Sequence, residues 1–247
     1  MDVLEKKALR CEKHGDFISE RFNFVGIDIY TNCPKCEEER DIEEKRISDL
    51  EKSKKENDTM EEMGISKRFE NCSFSNYTRK TEGEDNAFNK AVSYSDRLSV
   101  CGFSDNLFIC GSVGTGKTHL SISILIAFFY HTDKKGFYTT ALRMIRDIRS
   151  AYGKKEGPGE QDIINKYVRY PLLVLDEVGV QYGTEGEKIL LFEVINGRYE
   201  NLLPTILATN LSYSEMTQYL GERAIDRLRG KGGDLIVMDW KSYRRNI

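Results

Sequence analysis

Before Gly64 apolar side chains are sparse and scattered, whereas beyond it they gather into short runs separated by helix-like stretches. Five runs have the length of strands: Asn106 to Cys110, Lys135 to Thr140, Leu172 to Leu175, Thr205 to Thr209 and Leu235 to Met238. A longer stretch, His119 to Tyr130, reads as helix. Apolar strands alternating with helices predict an α/β fold, a central parallel sheet covered by helices. Lys154 to Glu160, with Gly157, Pro158 and Gly159, reads as a surface loop.

The pattern toward the N-terminus is different. Phe22, Phe24 and Tyr30 alternate as in a short hairpin. From Glu37 to about Met63 the chain is dense in Glu, Lys, Arg and Asp, with sparse apolar residues, Ile42, Ile47, Leu50 and Met60, before Met63 and no proline or glycine. That composition predicts an exposed linker helix. Three segments follow: a small unit at 1–36, a charged helix at 37–63 and a folded domain at 64–247.

Composition narrows the class. With 247 residues, 39% hydrophobic, 31% charged and four prolines, the chain can bury a core and is not disordered as a whole. The start, MDVLEKKALR, has no apolar targeting core, and the apolar run Ile122 to Tyr130 is too short to cross a bilayer. The expectation is a cytoplasmic protein with no membrane contact. A formal net charge of −3 gives no broad positive field, so any nucleic-acid contact must be local or assembled from several subunits.

Six cysteines in a reducing compartment point to thiols or metal ligands rather than disulfides. Cys11-x-x-His14 and Cys33-Pro-Lys-Cys36 are two close pairs in one short segment, and three thiolates with one imidazole satisfy tetrahedral Zn²⁺. Such an ion would give folding energy to a segment too small to bury its own core. Cys72, Cys101 and Cys110 read as packing residues.

The most specific signal is Gly111-Ser112-Val113-Gly114-Thr115-Gly116-Lys117-Thr118, which fits G-x-x-x-x-G-K-[ST]. It follows the apolar run Leu107 to Cys110 and precedes the helix beginning near His119. Glycines let backbone N–H groups close around the phosphates of ATP or ADP, and the helix N-terminus adds its positive dipole end. Lys117 would reach the β- and γ-phosphates and Thr118 would supply its hydroxyl to Mg²⁺. Leu172-Leu-Val-Leu175-Asp176-Glu177 puts two acids at the carboxyl end of a buried strand, where open parallel sheets bind their ligands. Asp176 would hold Mg²⁺, and Glu177 would orient and deprotonate the attacking water. This favours hydrolysis over transfer to a metabolite.

Thr205-Ile-Leu-Ala-Thr209-Asn210 ends an apolar strand in a short polar pair, and Arg223 and Arg227 stand at i, i+4 on one helix face. Taken with Leu175-Asp-Glu-Val-Gly179, Ile195-Asn-Gly-Arg-Tyr199, Gly221 to Arg227 and Trp240-Lys-Ser-Tyr-Arg244, the order of motifs resembles the AAA+ ATPases of the DnaC-type helicase loaders and the IstB transposition helpers. The resemblance runs from about Gly64 to the C-terminus. It implies an AAA+ P-loop domain and an ATPase, weak as an isolated monomer, that delivers a replicative (DnaB-like) helicase onto single-stranded DNA. The alternative is a helper of a transposase. The resemblance further implies Asn210 as a sensor near the γ-phosphate, Arg227 as a finger acting on a neighbour's ATP, Arg244 as a second sensor, and ATP-driven assembly into a ring or spiral. The N-terminal region would dock on the helicase; Arg143, Arg146 and Arg149, spaced along one helix face, could line a DNA channel or simply form the solvated face of an amphipathic helix that buries Met144, Ile145 and Ile148. A nucleoside kinase would need an acceptor pocket and lid instead, and a non-hydrolysing adaptor would not use Glu177.

Overall fold

The structure is a computed structural model and describes residues 3–24, 27–100, 105–153, 156–179, 184–229 and 233–243. The chain divides into two compact units, Met1–Asp58 and Thr59–Ile247.

In the first unit, β1 (Glu5–Cys11), β2 (Gly15–Phe24) and β3 (Ile27–Tyr30) form an antiparallel sheet in that order. The alternating stretch makes the second hairpin, with Phe22 opposite Ile29. β1 was not evident in the sequence. It pairs along its whole length with β2, Glu5 opposite Arg21 through Cys11 opposite Gly15, yet its side chains are exposed through Arg10, so they leave no two-residue hydrophobic period. The buried Ser19 hydroxyl donates to the Thr31 carbonyl at 2.7 Å, and Glu20 N–H donates to the Thr31 hydroxyl at 2.8 Å, which ties the end of the sheet to β2.

Helix α1 spans Pro34–Glu62. Proline suits a first helical position, where its missing N–H has no partner to lose, so the helix starts before Glu37 and carries Cys36 in its first turn. Every side chain from Glu38 to Asp58 is exposed. Arg40–Glu37 and Arg46–Glu43 ion pairs at i, i+3 support the helix by a few tenths of a kcal/mol each, about what such surface pairs give.

The second unit begins in the last turn of α1, where Met60 is buried; just beyond the helix Met63 and Ile65 are buried too, and Tyr138 N–H donates to the Met63 carbonyl at 2.8 Å. Then follow α2 (Glu82–Leu98), β4 (Leu107–Gly111), α3 (Lys117–Thr132), β5 (Phe137–Thr140), α4 (Ala141–Arg149), α5 (Glu160–Arg169), β6 (Leu173–Val178), α6 (Glu185–Glu200), β7 (Thr205–Thr209), α7 (Tyr213–Leu220), α8 (Glu222–Arg229) and β8 (Asp234–Met238). The sheet order is β5-β6-β7-β4-β8, with every pairing parallel. All five strands expected from the apolar runs are present.

The central strands β4 and β7 are buried almost throughout because both faces of the sheet are covered there. Leu107 and Ile109 of β4 join Val174, Ile206, Ala208, Ile236 and Met238 in the core with α2 and α3. Phe108 and Cys110, with Leu173, Leu175 and Leu207, join the core on the other face with α4 to α8. Asn106, buried just before β4, pins the sheet's start: its Oδ1 accepts from Thr205 N–H at 2.7 Å and its Nδ2 donates to the Leu228 carbonyl at 2.9 Å. Cys72 packs against the first core, Cys110 lies in the second, and Cys101 is outside the described residues.

Candidate nucleotide and metal sites

β4 ends at Gly111, the loop Ser112 to Gly116 turns, and α3 starts at Lys117. Gly111 has φ +151°, and a Cβ there would stand 2.1 Å from the Met238 carbonyl oxygen, so no side chain fits. Gly116 caps α3 in a left-handed conformation with no side chain over the free N–H groups of the first turn. That leaves a helix N-terminus open to an anion. Lys117, almost fully buried, donates to the carbonyls of Gly111 at 2.8 Å and Ser112 at 2.7 Å, arching over the loop.

Asp176 ends the regular part of β6 and is buried. Its Oδ2 accepts from the Thr118 hydroxyl at 2.7 Å and the Tyr138 hydroxyl at 3.0 Å, and its Oδ1 accepts from Glu177 N–H at 2.8 Å. Burial first, and then the neighbouring carboxylate, push the Tyr138 hydroxyl far above its ordinary value, so it stays a donor. Hydroxyl and carboxylate oxygens this close are the hard donor set that suits Mg²⁺. Glu177 takes φ +56°, unusual for a residue with a side chain, at an irregularity in the β6–β7 register between Leu175 and Val178. The bulge turns its side chain out of the sheet while Asp176 and Val178 stay buried. Thr209 braces it, donating to the Val178 carbonyl at 2.6 Å.

A cavity of about 270 Å³ unites these groups. It is lined by Val113, Gly114, Gly116, Lys117, Thr118, His119, Asp176, Glu177, Thr209 and Asn210, together with Arg68, Phe69 and Tyr243. His119 is held by its Nε2 against the Ser73 carbonyl at 3.0 Å and by the Tyr77 ring at 5.3 Å. Arg68, Phe69 and Tyr138 escaped the sequence reading because they lie in segments with no spacing motif, and Tyr243 was seen only as part of the Trp240 to Arg244 element, with no role of its own. Arg227 does not line the cavity; its guanidinium lies 4.7 Å over the Tyr199 ring. Arg223, on the same helix, lines a separate groove between α6 and α7. Arg244 lies outside the described residues. On α4, Arg143, Arg146 and Arg149 are exposed and Met144, Ile145 and Ile148 are buried.

In the first unit the tight turn after β1 and the first turn of α1 bring Cys11, His14, Cys33 and Cys36 together, with all four ligand atoms within 4.8 Å of one another. Sγ of Cys11, Cys33 and Cys36 stand 3.8, 3.7 and 3.3 Å from His14 Nδ1, and Cys11 to Cys36 is 3.5 Å. Tetrahedral zinc, with Zn–S of about 2.3 Å and Zn–N of about 2.0 Å, separates its ligands by about 3.5 to 3.8 Å, so the set fits Zn²⁺. The other imidazole nitrogen, Nε2, lies 3.1 Å from Glu39 Oε1, the outer carboxylate that commonly orients a metal-bound histidine. Backbone N–H groups of His14 and Lys13 aimed at Cys11 pull its thiol down to about 6, which favours thiolate.

A glycine loop at the head of α3, facing an Asp–Glu pair on the neighbouring region of a five-stranded parallel sheet, defines a P-loop ATP-binding protein of the AAA+ fold. Solved structures agree on that fold. The DnaC helicase loader superposes with a TM-score of 0.62 at 23% identity, covering 70% of this chain and 99% of that one. AMPPCP-bound DnaA from Aquifex aeolicus gives 0.58 at 24% identity over 70% of this chain and 52% of that one. Residues 42–245 match the family described as IstB-like ATP binding protein. The replicative helicase loader DnaC of Escherichia coli (strain K12) is 33% identical over 192 residues, 76% of each chain. The chain therefore belongs to the IstB/DnaC family of ATP-binding proteins. Among the described residues no helix is long and apolar enough to cross a membrane.

Proposed function

We propose that this protein is an ATP-dependent loader that delivers a replicative DNA helicase onto single-stranded DNA. The observation that carries this reading is one cavity holding Lys117, Thr118, Asp176, Glu177 and Asn210, in a chain whose curated relative is a replicative helicase loader. That relative also favours a loader over a transposition helper.

The phosphates of ATP lie against the loop from Gly111 to Thr118, and Lys117 exchanges its carbonyl partners for phosphate oxygens. Thr118 and Asp176 would hold Mg²⁺, which would supply positive charge to the phosphates. Glu177 accepts a proton from water as that water attacks the γ-phosphorus and ADP leaves, while Asn210 donates to the attacked group. Arg227 stands outside its own subunit's cavity, so it acts on a neighbour's nucleotide once ATP has drawn subunits into a ring or spiral. Such fingers contribute about 10³–10⁵ in rate, and a lone subunit is accordingly slow. Residues 1–36, folded around zinc, dock on the helicase, and the α4 arginines face the DNA.

Purified protein is expected to hydrolyse ATP faster with single-stranded DNA and the helicase present, with Lys117→Ala abolishing the gain. Glu177→Gln should retain ATP and lose at least 90% of turnover, an expectation of about the size seen when a catalytic base is removed. Unchanged turnover in Glu177→Gln would remove its assigned role, and the absence of any helicase capture would remove the loader reading.

A further inference from the structure

The last described stretch of the chain is tied to the phosphate loop at successive points. Ser112 N–H donates to the Met238 carbonyl at 3.2 Å, and Tyr243 N–H donates to the Gly114 carbonyl at 2.9 Å. Between them the indole N–H of Trp240 donates to the Thr115 carbonyl at 3.1 Å. The same stretch is anchored on its other side to the start of α2. The Tyr243 hydroxyl donates to Glu84 Oε1 at 2.5 Å, while Glu84 Oε2 accepts from the N–H groups of Lys80 at 2.5 Å and Thr81 at 2.8 Å. The Trp240 ring lies 3.8 Å from where a Cβ on Gly83 would stand. Burial raises the Glu84 carboxyl, but the hydrogen bonds from Tyr243 and the two amides outweigh it and the net shift is downward. Tyr243 moves the opposite way, to about 12, through burial and the Glu84 carboxylate, so its proton stays in place as a donor.

We propose that Trp240 and Tyr243 are positioning residues for the phosphate loop, which set the aim of its amide groups before nucleotide arrives. A trans peptide is planar, with its N–H opposite its C=O. Holding the Gly114 and Thr115 carbonyls against the strap therefore turns the N–H groups of Thr115 and Gly116 the other way, toward the phosphates. The loop pays little reorganisation entropy on binding because its peptide planes are already fixed. α2 contributes through Glu84, which fixes the Tyr243 ring and thereby the backbone N–H behind it. The proposal rests on reading Gly111 to Thr118 as the nucleotide site.

Calorimetric titration of the full chain with ADP, beside thermal melting and steady-state kinetics with ATP, tests it. Trp240→Phe keeps a ring against α2 and removes the indole donor; Tyr243→Phe keeps packing and removes the hydroxyl. Each is expected to weaken ADP about five- to ten-fold, the size of one lost hydrogen bond of roughly 1 kcal/mol. KM for ATP should rise with kcat within about two-fold, as expected when uniform binding is lost. Glu84→Gln has one acceptor oxygen where Glu84 uses two, for the Tyr243 hydroxyl and for the Lys80 and Thr81 amides, so it should weaken ADP no more than Tyr243→Phe does. Unchanged ADP affinity in both folded aromatic variants overturns the proposal, as does a fall in kcat with affinity intact. Lys117→Ala separates the underlying reading: if that variant binds ADP as well as wild type, the loop is not the phosphate site at all.

Discussion

Glu177 combines an exposed carboxylate with a left-handed backbone that a side chain ordinarily avoids at a cost of about 1–2 kcal/mol. The conformation persists because Thr209 holds Val178 from the neighbouring strand and Asp176 accepts the Glu177 N–H, so both flanking residues are fixed. Strain of this kind turns the Glu177 carboxylate toward the cavity without need of a loop. Glycine takes the same backbone freely, so Glu177→Gly should melt at the same temperature as wild type or higher, by up to ~1 kcal/mol, while hydrolysing no ATP. A melting point several degrees lower would show that the bulge is not strained. The identity of Glu177 was legible from its place after Asp176 at the end of an apolar run; its backbone was not, because register against β7 is a non-local property.

Among the elements, α6 depends on Arg198, which is 1% exposed and whose guanidinium donates to neutral oxygens rather than to a carboxylate. Its guanidinium donates to the Thr205 hydroxyl and to the carbonyls of Tyr167, Val168, Tyr170 and Pro204, so it stitches the end of α5, the start of β7 and α6 together. Burial lowers its pKa to about 9, still above neutrality. Arg198→Met should cost roughly 3 kcal/mol or more in chemical unfolding because several buried carbonyls lose their donor, and Lys, with a single ammonium, should not restore the fork. Equal stability in Arg198→Met would mean those carbonyls find other partners. The parallel strands were legible because the central ones, β4 and β7, are buried almost throughout and so read as apolar runs, while β5, β6 and β8 keep enough buried apolar residues to show the same pattern. β1 was illegible for the opposite reason, its sequence EKKALRC being exposed along nearly its whole length. The cavity itself was half legible: loop, acids and Asn210 follow strand ends in chain order, whereas Arg68, Phe69 and Tyr243 reach it through folding alone.

At the scale of the whole molecule, the two compact units draw their stability from different sources. Thr59–Ile247 has a sheet with a core on each face, while Met1–Asp58 has a three-stranded sheet with Ile18 and Ile29 at least half exposed and a cysteine–histidine cluster. Zinc removal by a strong chelator should therefore melt the first unit while leaving ADP binding within about two-fold, the pattern of a metal that supplies folding energy to a small module. Proton release on re-adding zinc and loss of strand signal without it would check this; a first unit unchanged by chelation, with no bound zinc by elemental analysis, would contradict it. Trp240 gives the molecule another property. It is the single tryptophan in 247 residues, and its indole hydrogen is lodged on the phosphate loop. Selective excitation of indole thus interrogates one place in the protein, and the colour of its emission is a native optical gauge of that loop, with no dye attached.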